Sequence, residues 1–308
     1  MKITSTALAL VVAASGAAQS QDVTYLSYGL GFESKDYGGG DTLDTFIFEG
    51  AVEYSINQFV LMAKIDGDSF NFGGGSEELS VIGARAGYEF APGSLVYVGV
   101  GSLMLFDVSR TTAEIGAQYG AGAFQAGLHY SSIPDDDIES VTLALGYEIA
   151  PTSEVGIRYT SFLGIDESST LLFGSYESGP LSVDGSLEVF SGGDFSVAGV
   201  NGTYEFGGRY RALGGLILFD TGGGNNYTAV QIGAGFQVAD NMWIDASYAH
   251  LSLDPGNGHT LGLMFSFETG DRALLVDRSN EIRQIPYNAF GGEFRFVGVL
   301  TEVGGFGI

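Results

Sequence analysis

The chain has 308 residues, 45% of them hydrophobic, with 49 glycines, 16 tyrosines and no cysteine. Lys+Arg number 12 against 37 Asp+Glu, a net charge of −25 at pH 7; this excludes nucleic-acid binding, because a phosphate backbone needs a cationic surface. Neither disulfides nor thiolate metal sites are available, the apolar share is too high for disorder, and the glycines follow no collagen triplet.

Residues 1–20 begin with the charged Lys2, continue through an apolar stretch at 7–14 and end in small residues at 13–20. This pattern predicts a secretory signal, cleaved after Ala18 or Ser20, and it is too short to span a bilayer as a helix. No later stretch approaches about 18 unbroken apolar residues, so no spanning helix is expected.

From Val23 onward, apolar and polar residues alternate with period two, the strand signature. Leu26, Tyr28, Leu30 and Phe32 share one face; Phe46, Phe48, Val52 and Tyr54 follow, then Phe59, Leu61 and Ile65. Ile82 and Tyr88, Val96–Met104 with Phe106, Ile115 and Tyr119, and Leu128 with Tyr130 continue the series. The pattern blurs over residues 170–176, where both parities are apolar, and resumes through Leu263 and Phe267. Polar, glycine-rich stretches at 34–41, 67–76, 133–139, 221–226 and 255–258 read as longer loops, and 91–94, 151–153, 179–180 and 239–241 as short turns.

Aromatic markers recur at the short turns: Tyr54, Tyr88, Tyr119, Tyr147, Tyr176, Tyr204, Phe236 and Phe267, spaced by 34, 31, 28, 29, 28, 32 and 31 residues. Each period holds two strands, so the unit is a hairpin and eight units give sixteen strands. The expected fold is all-β: a transmembrane antiparallel barrel over residues 21–269, with short periplasmic turns and longer extracellular loops. The face opposite the apolar one carries Glu49, Lys64, Asp66, Arg85, Glu114, Arg158, Asp184, Glu188, Arg209, Arg211 and Asp245. So many charges would be costly in a dry core but suit a wet lumen, with the Val/Leu/Phe/Tyr face toward lipid. The markers are then expected to form the periplasmic aromatic girdle, with Phe32, Phe46, Phe106 and Tyr130 in the opposite one.

The signal, the hairpin period, the Tyr-rich turns and the acidic balance together resemble the Gram-negative outer-membrane porins, especially the acidic sixteen-stranded type of alphaproteobacteria. The resemblance covers residues 23–269. It implies an outer-membrane location, contact with lipid and lipopolysaccharide, passage of small hydrophilic solutes and ions, a homotrimer, no cofactor and no metal. Two features depart from it. The long constricting loop after the fifth strand is replaced by residues 109–112, and the last strand, with Phe265 and Phe267, does not end the chain. Residues 270–308 hold Arg272, Arg278, Arg283 and Arg295. They read as a periplasmic extension, as a plug drawn into an acidic lumen, or as an added strand over 294–301.

Other features carry little chemistry. Glycines 73–75 and 222–224 are not followed by Gly-Lys-Ser/Thr and read as loops. Residues 135–137 read as a solvated acidic loop or a divalent-cation and lipopolysaccharide bridge. Lys64, Arg85, Arg158, Arg209 and Arg211 read either as a cationic strip facing Glu49, Asp66 and Asp184 or as wall-stiffening ion pairs. No G-x-S-x-G or H-E-x-x-H motif is present, and His129, His250 and His259 are scattered, so no catalysis is expected. The acid excess predicts a cation preference. The alternatives are a non-conducting barrel serving as adhesin or scaffold, and a barrel-borne lipase using His250 on the lipid face.

Overall fold

The computed structural model describes residues 23–36, 42–72, 75–105, 108–164, 167–191, 195–222, 226–253, 256–270 and 272–290. The strands run β1 (Val23–Asp36), β2 (Thr42–Ile56), β3 (Phe59–Phe72), β4 (Gly75–Ala91), β5 (Ser94–Leu105) and β6 (Val108–Ala121). They continue as β7 (Phe124–Ile133), β8 (Ile138–Ala150), β9 (Ser153–Leu163), β10 (Glu167–Ser178) and β11 (Leu181–Phe190). The series ends with β12 (Ser196–Phe206), β13 (Tyr210–Asp220), β14 (Asn226–Ala239), β15 (Met242–Leu253) and β16 (Gly256–Gly270), followed by helix α1 (Leu275–Phe290). Each strand pairs antiparallel with its sequence neighbours, and β16 closes onto β1. Closure leaves no row of unpaired N–H and C=O groups, the condition hydrocarbon imposes on any spanning sheet.

Register fixes two faces. Along β2, Thr45, Ile47, Glu49, Ala51 and Glu53 point inward, opposite Phe70, Asp68, Asp66, Lys64 and Met62 of β3. Most outward residues are exposed, Val100 to 64% and Ile232 and Leu261 to 62%, while inward Thr142 and Glu53 are 1% and 3% exposed; over β1–β3 the outward Leu26, Tyr28, Phe48 and Ile65 are covered. An exposed apolar surface running over β4–β16 is far larger than a soluble monomer displays. No helix among the described residues is long and apolar enough to cross a membrane.

The eight marker aromatics all lie on the outward face near the short-turn rim. They are joined there by residues the periodicity did not single out: Phe59 meets Tyr88 edge-on at 5.5 Å, and Tyr210 lies 5.5 Å from Phe236. At the opposite rim the pairing runs further than the polar composition suggests. Residues 67–72 belong to β3 and 75–76 to β4, so the loop expected at 67–76 is largely strand. The ladder is sustained there by burial on the inward side: Asp68 is fully buried, and Phe70 packs with Leu43, Leu79, Leu103 and Ile133. Residues 133–139 close with a single 3-10 turn at Pro134–Asp136, and Arg110 reaches back to Asp136 at 2.6 Å. Residues 109–112 lie within β6, not in a loop. The expectations for residues 1–20, 73–74, 106, 223–224 and 294–301 fall outside the described residues.

A lumen crossed by its own helix

Sixteen strands about 4.8 Å apart and tilted about 40° enclose a bore about 32 Å across between backbones. Helix α1 has 16 residues, a rod about 24 Å long, and it lies inside. The position follows from its partners. Leu275, Val276 and Ile282 pack on Ala144, Leu171 and Phe173 of β8 and β10. Leu274, just before the helix, packs on Val60, Met62, Leu95 and Tyr97. This accounts for the blur at 170–176: Leu171 and Phe173 are inward residues, apolar because they face a helix and not water.

The entry to α1 is bound to the wall. The Ala273 N–H donates to Glu53 Oε2 (3.0 Å) and the Leu275 N–H to Gln118 Oε1 (2.6 Å). Gln118 Nε2 in turn donates to the Ala273 carbonyl (2.8 Å). These barrel side chains serve donors that a helix start leaves without intrahelical partners.

Ion pairs hold the rest. Arg85 donates through Nη1 to both Asp277 oxygens (2.7 and 2.6 Å) and through Nε to Glu114 (2.6 Å). Arg278 pairs with Glu154 (3.1 Å) and donates to Gln125 (2.7 Å). Arg283 pairs with Glu188 at 2.7 Å, the two side chains 1% and 3% exposed. Arg158 donates to Asn280. Arg272 pairs with Glu281 (2.5 Å) and sits over the Tyr25 ring, 4.6 Å from its centroid. Burial pushes the Asp277 carboxyl up, but Arg85 and then Arg272 outweigh it and hold the group down at about 2. Burial raises Glu281 to about 7, with Arg272 pulling it only partly back.

The wall carries its own pairs, each bridging an inward glycine. Arg85 and Glu114 flank Gly99 on the strands to either side, and a Cβ there would stand 2.8 Å from Arg85 Cγ. Arg211 and Asp245 meet in the same way across Gly235 (Nε to Oδ1 2.8 Å), with Arg211 4.3 Å over Trp243. Glycine between two charged positions lets side chains two strands apart touch. A small space remains beside α1, lined by Glu53, Lys64, Arg85, Glu114, His129 and Asp277 among others.

Of the residues expected to line the channel, Glu49, Lys64, Asp66, Arg85, Glu114, Arg158, Asp184, Arg211 and Asp245 lie on the inward parity. Arg209 does not: β13 begins at Tyr210, and Arg209 is an exposed residue of the turn before it. The cations form no single strip either, since Arg85, Arg158 and Arg211 stand on β4, β9 and β13. Sequence reading passed over Gln118, Glu154 and Tyr25, whose only signal was polar character or a hydroxyl at an inward position. Residues 272–284, left open between three readings, lie within the lumen.

A closed sixteen-strand antiparallel barrel with a charged interior is the fold of the bacterial porins. Solved structures sharing it include Rhodopseudomonas blastica porin, represented by a triple mutant (15% identity, TM-score 0.50, 80% of this chain and 100% of that one). Pseudomonas aeruginosa OpdQ is similar over 81% of this chain and 99% of its own at 10% identity and TM-score 0.54. Acinetobacter baumannii OccAB3 is similar over 81% and 100% at 8% identity and TM-score 0.51. At these identities the similarity is one of fold. No family model matches the sequence, and no curated protein matches it.

Proposed function

We propose that the protein is a passive diffusion channel of a Gram-negative outer membrane, admitting small hydrophilic solutes and ions, with α1 narrowing its bore. Residues 1–20 direct export, residues 21–269 form the barrel, and the C-terminal extension 270–308 supplies the helix that enters the bore. The observation that carries this reading is the sidedness of the wall: a bare apolar belt outside and rows of ionised groups inside a bore too wide for side chains alone to fill. The belt faces lipid and lipopolysaccharide, and a homotrimer is the assembly implied by the resemblance to porins.

The chain has net charge −25, and the inward wall carries Glu49, Asp66 and Asp184 besides the paired Glu114 and Asp245. A negative wall concentrates cations, so the channel prefers them. In planar bilayers the purified protein gives steady steps of current, and a KCl gradient gives a cation-selective reversal potential. Anion selectivity refutes the preference. Absence of any steady current refutes the channel and favours the second reading, a closed scaffold barrel, which the packing of α1 against the wall also supports. Catalysis has no support: His250 is hydrogen-bonded to His259 and not to a serine among the described residues.

A further inference from the structure

The inner wall is apolar at a place that a water-filled bore does not explain. At the long-loop rim Leu43, Phe70, Leu79, Leu103 and Ile133, from β2–β5 and β7, form one inward cluster. Val197, Ile217, Phe219, Ala229 and Leu251, from β12–β15, form a second across the bore. Leu103, Ile217 and Leu251 are 0% exposed, and the inward polar residues Asp68, Thr142 and Thr160 of the same half are also withdrawn from solvent. Among the described residues only α1 lies inside the wall, and neither cluster includes a residue of it.

We propose that residues 291–308 dock on these two clusters and form a second closure of the bore on the long-loop side of α1. The direction of α1 delivers them there. Leu275 is held by Gln118 near the short-turn end of β6, Arg278 by Glu154 at the start of β9, and Arg283 by Glu188 close to the long-loop end of β11. The helix then continues to Phe290, about 10 Å further at 1.5 Å per residue. Residue 291 therefore starts inside the long-loop half of the barrel.

Composition and reach select the same surface. Residues 291–308 hold eight large apolar side chains, from Phe294 to Ile308, against three charges, and burying apolar area is what stabilises such a segment. Its 18 residues extend to about 60 Å at most, enough to cross a bore about 32 Å wide and touch both clusters. The wall itself offers no edge to join, since β16 already closes on β1. The tail thus does for Leu103 and Leu251 what α1 does for Leu171 and Phe173: it replaces water with an apolar partner.

The test places the photo-cross-linker p-benzoylphenylalanine at position 296 or 306 of the full chain, folded in detergent, and maps the attached residues by mass spectrometry. The expected attachments are inward residues of β2–β7 or β12–β15 in the long-loop half. Attachment only to outward residues or to the short-turn half, or no attachment to the barrel, would overturn the proposal. A second measurement uses trypsin, which cuts after Arg295. The wild-type tail resists it, and the double variant Phe296→Ser with Leu300→Ser is cut at least about tenfold faster, because cleavage follows the population of the released state. Both substitutions lie outside the strands, and heat-modifiable gel migration establishes that the barrel is folded. Equal cleavage rates in wild type and variant refute the docking. Neither readout requires ion flow, so the outcome is independent of the bilayer test of the channel.

Discussion

The buried pair between Arg283 and Glu188 offers the sharpest test of α1 as a plug. Both groups are almost wholly withdrawn from solvent, 1% and 3% exposed, at 2.7 Å. Replacing Arg283 with Met keeps the length and apolar stem but removes the guanidinium that neutralises Glu188 inside the wall. Breaking a buried pair by deleting one partner costs about 3–5 kcal/mol. At about 1.4 kcal/mol per factor of ten, the equilibrium between docked and released α1 shifts by roughly 10²–10³·⁵. Conductance measured in bilayers rises in Arg283→Met, and a protease added on the tail's side cleaves residues 270–308 faster. Glu188→Gln alone behaves similarly, whereas the double variant recovers much of the closed behaviour, since neither charge is then left alone; the cycle isolates the pair. If Arg283→Met conducts like wild type and its tail is no more sensitive to protease, α1 is not held by this contact and the plug reading fails.

Deleting residues 271–308 should raise single-channel conductance while leaving a barrel that migrates as folded; an unchanged conductance means the helix does not obstruct flow. Gly146→Val introduces bulk where a Cβ would already stand 2.7 Å from Leu275 Cδ1, so it should loosen α1 and raise conductance; retention of wild-type conductance would show that the helix repacks freely. The pH profile follows from two helix carboxyls. Asp277 is held at about 2 when docked, below the ordinary range near 3.9, so its stabilisation of docking is present above about pH 4 and is lost as pH falls toward 2. Glu281 is raised from the ordinary 4.5 to about 7, so the stability its protonation lends to docking is full below about pH 4.5 and is lost progressively as pH rises to 7. Conductance is therefore lowest near pH 4–5 and climbs toward pH 7, and Glu281→Gln removes that climb; a flat profile in wild type contradicts this.

The alternation of residue types determined most of the barrel. A spanning strand meets one solvent outside and another inside, so every second residue is chosen by its environment, and the spacing of Tyr88, Tyr119, Tyr147 and their counterparts counts the hairpins. The same logic put Arg85, Glu114, Arg211 and Asp245 inside before any partner was known. It erred at residues 67–76, which read as a polar loop yet continue β3 and β4: Phe70 is buried against Leu43, Leu79 and Leu103, partners from other strands that a local polar composition does not reveal. Arg209 was misplaced for a related reason, since parity extends through a turn on paper while the chain itself bends.

What the tertiary structure alone decided is which inward residues serve the helix. Tyr25 hydrogen-bonds Glu281 from 256 positions away, and Arg85 reaches Asp277 across 192; no local period encodes such a meeting. Leu171 and Phe173 looked anomalous in a strand with a wet side, and became ordinary once Leu275 and Ile282 were found against them. A strand's pattern records the polarity of what it touches, water or lipid, and cannot say when another part of the chain has displaced the water.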